Sequence, residues 1–417
     1  MAIPANKTSR GIAAILIPVL STLYSAVSWS DGESVLTRQR PELEPLGFRS
    51  GAFIVYPSLE AGLRTNDNLF STDSDKVSDT ATVISPSLNV VSDWNNHSLQ
   101  LGLDLEIARY ADESDEDYED YTLSVSGRTD ITRREQIFTA LEFARKHEER
   151  DSVDDSNSDS PIIFSETAIS ANYVRIFNRI KLDAGVELVN LDYDDGRVSG
   201  LTINNDDRDR SEFEISARAD YEIASEYAGF AELTLNQRNY DSRTDDSGFR
   251  RDSNGYEIRV GSGFQLSGIS SASVYGGYIS QSPDESSFSD ISGASLGGNL
   301  IWDVTSLSSL QFTLERDVLE TTLDSGGALS TRLGARVDHE LLRNLLLFAS
   351  YDVYSNEYED ISRDDDDKIF SLGVNYLLNR ALYVNIELRR DSRDSSGDDS
   401  GEDFSRQQLA LSARLNW

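Results

Sequence analysis

The stretch Leu99–Ile107, LQLGLDLEI, carries leucine or isoleucine at every second position, with polar residues or glycine between them. Successive side chains of a β-strand point to opposite faces, so this strand would have one apolar and one hydrated face. The same alternation recurs in Phe213–Ile223, Tyr256–Phe264 and Leu382–Leu388. The pattern predicts strands that separate an apolar environment from a polar one.

Eighteen segments with this alternation follow one another along the chain, each about 11 to 14 residues long. Strands of soluble proteins usually run about five or six residues, whereas strands that cross a membrane need about nine to eleven. The segments lie near 52–64, 80–92, 98–110, 120–131, 136–147, 164–175, 180–192, 212–224, 227–239, 255–266, 271–281, 290–301, 307–317, 328–339, 344–355, 368–378, 381–391 and 404–417.

Short and long gaps between these segments alternate strictly. Asp93–His97 and Ser225–Glu226 are short, while Tyr193–Asp209, Glu357–Asp367 and Asp391–Asp403 are long. Short periplasmic turns and long extracellular loops are typical of outer-membrane barrels. We therefore expect an all-β fold, a transmembrane antiparallel β-barrel of about 18 strands (16–18), with long acidic outer loops.

The composition excludes several function classes. With 73 Asp+Glu against 38 Lys+Arg, the net charge is −35, which disfavours a protein that binds nucleic acid by neutralising phosphates. No cysteine is present, so thiolate metal sites, disulfides and thiol nucleophiles are excluded. The three histidines, His97, His147 and His339, are too scattered for a histidine-based metal site.

The N-terminus predicts export. Lys7 and Arg10 precede the apolar run Gly11–Val27, and Ala26-Val27-Ser28 offers small residues at a cleavage site. A membrane anchor is the alternative, disfavoured by the short run and by Pro18. The predicted organisation is a signal peptide at 1–28, a periplasmic arm at 29–50 and an outer-membrane barrel at 51–417.

The C-terminus supports the barrel interpretation. Alternating apolar residues lead to a terminal Trp417, which is similar to the signal that barrel assembly machinery reads. A soluble sandwich would need shorter strands, and a solenoid would show a fixed-period repeat, which the sequence lacks.

The opening of the barrel region resembles a known family. Arg40–Phe53, RPELEPLGFRSGAF, is followed by Tyr56-Pro57-Ser58-Leu59 and by Asn66-Asp67-Asn68. This arm and first strand are similar to those of the putative beta-barrel porin 2 family. The resemblance implies an outer-membrane barrel of a Gram-negative bacterium, and its frequent link to exopolysaccharide or capsule production implies passage of a polysaccharide.

Charged residues between the apolar positions are predicted to face the lumen. There they would line a hydrated channel or, alternatively, brace the wall through ion pairs. The candidates are Arg128, Arg218, Arg238, Arg259, Arg332, Arg336, Arg389, Arg414, Glu60, Asp104, Glu106, Glu142, Glu187, Glu232, Glu257 and Glu387.

Six inward aromatic residues follow short turns at the periplasmic mouth. Aromatic faces stack on sugar rings, so they could receive a glycan; the alternative is packing at the rim or against the arm. They are Tyr56, Phe138, Phe230, Tyr275, Phe348 and Tyr383.

Carboxylates are concentrated in the outer loops, as in Ala111–Asp120 and Asp364–Asp367. Such clusters could hold Ca²⁺ or Mg²⁺ loosely, but no EF-hand loop or nonapeptide repeat is present, and a solvated surface is the alternative. We expect no other cofactor and no dedicated metal site.

The leading functional hypothesis from the sequence is a pore that translocates an exopolysaccharide or capsular polysaccharide. The alternatives are a general diffusion porin for small solutes and a plugged structural or surface barrel. Expected partners are outer-membrane lipid, lipopolysaccharide, the barrel assembly machinery and periplasmic export components, with no nucleic acid. His97 and His147 have no serine partner within a recognisable catalytic motif, so we expect no enzyme and no catalytic residue.

Overall fold

The computed structural model describes residue 35 and residues 38–155, 157–266 and 270–417. The predicted signal peptide at 1–28 lies outside these residues. In the described part of the chain, eighteen long strands form one antiparallel sheet that closes where the first long strand pairs with the last, Leu59 opposite Leu415. The strands are β1 (Phe48–Ser50), β2 (Phe53–Asn66), β3 (Asp79–Ser92), β4 (Ser98–Tyr110), β5 (Tyr118–Thr132), β6 (Glu135–His147), β7 (Ile163–Phe177), β8 (Ile180–Tyr193), β9 (Gly196–Val198), β10 (Leu201–Ile203), β11 (Arg210–Ala224), β12 (Tyr227–Tyr240), β13 (Ser253–Leu266), β14 (Ser270–Pro283), β15 (Ile291–Thr305), β16 (Ser308–Leu319), β17 (Ala328–Leu342), β18 (Leu345–Tyr358), β19 (Asp364–Leu377), β20 (Leu382–Ser396) and β21 (Phe404–Asn416).

The barrel wall consists of β2–β8 and β11–β21, which confirms the predicted fold and strand number. β1 pairs with the start of β2, β9 and β10 form a small outer hairpin, and Ser114–Glu116 is a single 3-10 turn. Except along the outer part of the β15–β16 seam, closure satisfies the backbone groups that an open edge would leave unpaired in lipid.

Alternation along each strand sorts the side chains as the sequence predicts. Leu63, Ile258 and Leu333 are exposed on the outer face, as expected of side chains that meet lipid. Their neighbours in the chain point into the lumen. The apolar rows therefore form the membrane-facing surface and the charged rows the interior.

Two predicted outer loops are partly strand. Asp364–Asp367 begins β19 and pairs with Ser396–Arg393 of β20, so the prediction of loops at Glu357–Asp367 and Asp391–Asp403 was wrong at these boundaries. Asp365 and Asp367 point inward and are buried. The wall thus extends outward on charged residues, because backbone pairing does not require apolar side chains.

No helix among the described residues is long and apolar enough to cross a membrane. The part of the N-terminal arm that the structure describes follows one sector of the periplasmic rim. Arg40 Nη2 donates to Glu340 Oε2 (2.7 Å), and Arg380 donates to the carbonyl oxygen of Pro41 (2.8 Å). These contacts attach the arm to the turns at the ends of β17 and β19.

Candidate functional site in the lumen

The predicted lumen arginines all lie on inward rows, and each makes an ion pair. Most partners are carboxylates on the same or a neighbouring strand, so the pairs brace the wall. They are Arg128–Asp130 (3.2 Å), Arg218–Asp220 (2.9 Å), Arg238–Glu320, Arg259–Glu257 (2.5 Å), Arg332–Asp352 (2.8 Å), Arg336–Asp338 (2.9 Å), Arg389–Asp391 (2.7 Å) and Arg414–Glu60 (2.6 Å).

The predicted lumen carboxylates lie on the same inward rows. Glu106 accepts hydrogen bonds from Arg64 (2.9 Å) and from the hydroxyl of Tyr118 (2.6 Å), and Glu232 accepts from Arg218 (3.3 Å). Glu142, Glu187 and Glu387 each adjoin an exposed apolar residue on their strands, and Asp104 lies two positions before Glu106 on the same row of β4. The interior therefore carries both signs of charge along its height.

Three of the six predicted mouth aromatics lie flat on the wall. Each is directly opposite a glycine of the next strand and beneath an arginine of the preceding strand. The sets are Arg218–Phe230–Gly261, Arg259–Tyr275–Gly297 and Arg336–Phe348–Gly373, with guanidinium-to-ring distances of 3.6, 4.8 and 4.4 Å. Glycine leaves room for the ring, and the cation lies over its face. The faces of these rings are thus already occupied.

Two other mouth aromatics meet the N-terminal arm. The Tyr383 hydroxyl donates to the carbonyl oxygen of Leu43 (2.6 Å), and the ring of Tyr56 borders Gly47. Phe138 lies on the inward row of β6, opposite Asn172. The six residues do not present a single ring of free aromatic faces.

The loop between β6 and β7 enters the lumen, and the structure describes its residues 148–155 and 157–162. It reaches β16 and β17, almost on the opposite side of the barrel. Around the wall, β16 lies seven strands from β7, and β17 lies nine strands from β6, which is halfway round eighteen strands. Val153 packs there against Leu319, Ala328 and Tyr358. We call residues 148–162 the crossing loop.

Asp151 fixes the crossing loop to the last two strands. Its Oδ2 accepts from Arg406 Nη2 (3.0 Å), and its carbonyl oxygen accepts from Arg393 Nη1 (3.0 Å). Arg406 also binds Asp391, while Arg393 binds Asp367. All five side chains are buried, so this network fills one side of the outer lumen.

Asp154 fixes the loop to the β16–β17 connection. Its Oδ1 accepts from the hydroxyls of Thr321 and Thr322 (both 2.9 Å) and from the Thr322 amide (2.8 Å). The guanidinium of Arg251 in turn donates to four carbonyl oxygens between Thr321 and Ser325. Arg251 therefore fixes the backbone of residues 321–325, which carries the two threonines that bind Asp154.

The near end of the crossing loop is attached to neighbouring loops. Glu148 accepts two hydrogen bonds from Arg208 (2.7 and 3.0 Å), and Arg150 donates to Glu116. Burial raises the pKa of Asp155 to about 6, although Arg150 lies 3.3 Å away and lowers it. A cavity of about 50 Å³ between the loop and the far wall has room for a few waters.

The sequence predicts a gap between the segments at 136–147 and 164–175, but nothing in it indicates that this gap turns inward. The partners of Asp151 lie 242 and 255 residues further along the chain. The sequence signal for this contact is weak: Arg393 and Arg406 are positive charges near the last two strands, and positive charges there need acidic partners if they are buried. In the part of the chain that the structure describes, no group of three or more His, Cys, Asp or Glu side chains could hold a metal ion.

A family model described as Putative beta-barrel porin 2 matches residues 40–417. Among solved structures, OpdK of Pseudomonas aeruginosa with vanillate is 12% identical, with a TM-score of 0.46 over 87% of this chain and 99% of that one. OccK2 (OpdF) of the same species in complex with glucuronate is 12% identical, with a TM-score of 0.47 over 89% and 99%. A BenF-like porin of Pseudomonas fluorescens Pf-5 is 12% identical, with a TM-score of 0.45 over 87% and 99%. No curated protein matches the chain significantly.

Proposed function

The chain belongs to the putative beta-barrel porin 2 family, and we propose that it is a diffusion porin for small hydrophilic solutes. It is a β-barrel porin of the outer membrane of a Gram-negative bacterium. Its lumen is lined by charged rows of both signs, which favour polar and charged solutes over apolar ones.

The crossing loop is the observation that carries this proposal. It spans the lumen from β6–β7 to the far wall and is anchored by Asp151 and Asp154. An eighteen-stranded barrel is wide enough for an aqueous channel unless something fills it. Here the loop and the Arg393–Arg406 network narrow the outer half, so passage depends on solute size and charge.

Polysaccharide export has weaker support. The crossing loop lies across the path that a hydrated polymer would take, and the faces of Phe230, Tyr275 and Phe348 are covered by arginine and glycine. Export stays a prediction from the family resemblance. Accumulation of polymer in the periplasm after deletion of the gene would favour it over the diffusion porin.

Liposome swelling with the purified protein tests the proposal. Neutral sugars and amino acids of increasing size would be added outside, with protein-free liposomes as the control. Swelling rates that fall steeply with solute size are expected. Absence of swelling with every solute, or equal flux of small sugars and long oligosaccharides, would overturn the proposal.

A further inference from the structure

One seam of the barrel wall is open over its outer half. β15 and β16 pair only from Thr305 opposite Ser308 to Gly298 opposite Leu314. Beyond this point β15 still pairs with β14 as far as Ile291, and β16 with β17 as far as Leu319. Residues 291–297 of β15 therefore face no partner strand on the β16 side.

The outer end of the β16–β17 hairpin leans into the lumen, while β17 stays paired with β18 as far as Ala328 opposite Tyr358. Alternation places Val318 and Leu329 on the outward rows, yet they are only 8% and 5% exposed. They pack against Ile279 and Ile291, which lie on the inward rows of β14 and β15. A Cβ added to Gly293 would lie 2.8 Å from Leu329 Cδ2, so glycine permits this approach.

Polar contacts hold the hairpin end inside the barrel. Glu320 accepts from Arg238 and from the Tyr240 hydroxyl (3.0 Å) on β12, four strands away. The following connection is held by Arg251 and supports Asp154 of the crossing loop. The crossing loop and the β16–β17 connection together narrow the outer half of the lumen, and we call this narrowing the constriction. The displacement that opens the seam therefore also places one side of the constriction.

The seam begins near the outer membrane interface. Tyr278 of β14 stands opposite Ala294 and is exposed on the outer face beside Tyr256, with ring centroids 6.2 Å apart. Outward aromatic side chains mark the level of the lipid headgroups in barrels. Unpaired backbone groups at this level are costly, so the free edge of β15 favours a partner strand.

We propose that the outer half of the β16–β17 hairpin, residues 315–329, is a gate with two mutually exclusive positions. Docked in the lumen, it completes the constriction and leaves the seam open. Withdrawn, it moves outward together with the end of β18, to which β17 stays paired. It then continues the existing β15–β16 register and closes the seam, placing Arg316 opposite Leu296 and Val318 opposite Ala294. This gate rests on the proposed porin function, because its docked position regulates solute flux.

The absence of cysteine makes disulfide trapping specific. Ala294→Cys with Val318→Cys would form a directly opposed pair only in the withdrawn position. Leu300→Cys with Phe312→Cys is the matched control, since these residues are already opposite each other on the same outward face. Both proteins would be oxidised in bilayers while disulfide formation and single-channel conductance are followed, with heat-modified gel mobility reporting barrel folding.

The 294–318 disulfide is expected to form, to raise conductance severalfold and to lose this effect on reduction, while the control disulfide leaves conductance unchanged. Arg251→Ala should accelerate formation at 294–318 only. Failure to form in a folded barrel whose control pair oxidises fully overturns the gate, as does a formed disulfide without a conductance change. If the protein is not a porin, no variant will conduct solutes. Disulfide formation would still report the position of the hairpin in that case, so the two outcomes can be told apart.

Discussion

Arg406 of the last strand and Asp151 of the crossing loop form a buried ion pair, with 3.0 Å between Nη2 and Oδ2. Asp391 shares the same nitrogen at 3.0 Å. The pair joins a loop that leaves the barrel at β6 to the strand that closes the barrel. It therefore couples the position of the loop to the wall that carries it.

Arg406→Ala should release this side of the crossing loop. Removing one member of a buried ion pair costs about 3–5 kcal/mol, because the remaining carboxylates stay buried without their partner. We expect higher single-channel conductance and faster proteolysis within residues 148–162. Arg390→Ala, which changes an exposed arginine on the neighbouring strand, is the control and should behave as wild type. Equal conductance of the two variants would contradict this role of Arg406.

Asp154→Ala should loosen the contact with the β16–β17 connection. The variant loses three hydrogen bonds from Thr321 and Thr322, each worth about 0.5–1.5 kcal/mol or somewhat more to a charged acceptor. Hydrogen exchange at the Thr322 amide should quicken while exchange in the barrel strands is unchanged. Asp73→Ala, on an exposed acidic loop, serves as the control. Continued protection of the Thr322 amide would contradict the prediction.

The pH dependence of the loop should follow Asp155. Its pKa is about 6 in the folded protein, above the ordinary value of 3.8, because burial penalises the carboxylate. The folded loop thus binds a proton more readily than the free loop, and its docking free energy weakens as pH rises from about 4 to about 6. Conductance should be lower near pH 4.5 than near pH 7.

Asp155→Asn should flatten this part of the conductance profile. Arg150, Glu148 and Glu116 surround the carboxyl and remain in the variant. Any pH dependence of conductance that the variant keeps would therefore come from these groups. An Asn variant with the full wild-type pH profile would show that Asp155 does not control docking.

The stability of the barrel wall should depend on Gly373, the glycine opposite Phe348. A Cβ at Gly373 would collide with the Phe348 ring alone among its nearest neighbours, so Gly373→Ala should destabilise the barrel by about 1–3 kcal/mol. Adding Phe348→Ala should remove most of that penalty. Gly276→Ala is the control, since its nearest neighbour, Leu296 Cδ2, lies at 3.8 Å. Thermal unfolding followed by gel mobility compares five proteins: wild type, Gly373→Ala, Phe348→Ala, the double variant and Gly276→Ala. Additive losses of stability in the double variant would contradict the packing of Phe348 on Gly373.

The wall of the barrel was predictable because its signal is local. Alternation such as Leu99–Ile107 fixes which side chains face lipid, and it placed every candidate lumen residue on the inward rows. The boundaries at Asp364 and Ser396 were not predictable in this way. Beyond the membrane both faces of a strand can be polar, so apolar periodicity ends before the strand does.

The constriction could not be predicted, because its contacts join distant parts of the chain. Asp154 and Thr321 are 167 residues apart, and neither lies in a motif. The acidic outer segments suggested a solvated surface, whereas Asp151, Asp365 and Asp391 are buried against arginines. Composition gives the charge of such residues but not the side of the wall on which they lie.

A barrel with a shortened crossing loop would show whether this loop limits solute flux. Residues 150–160 would be replaced by a short Gly-Ser turn, and single channels and liposome swelling would be compared with wild type at equal barrel folding. We expect a severalfold larger conductance and entry of larger sugars. Unchanged conductance and an unchanged size limit would contradict it.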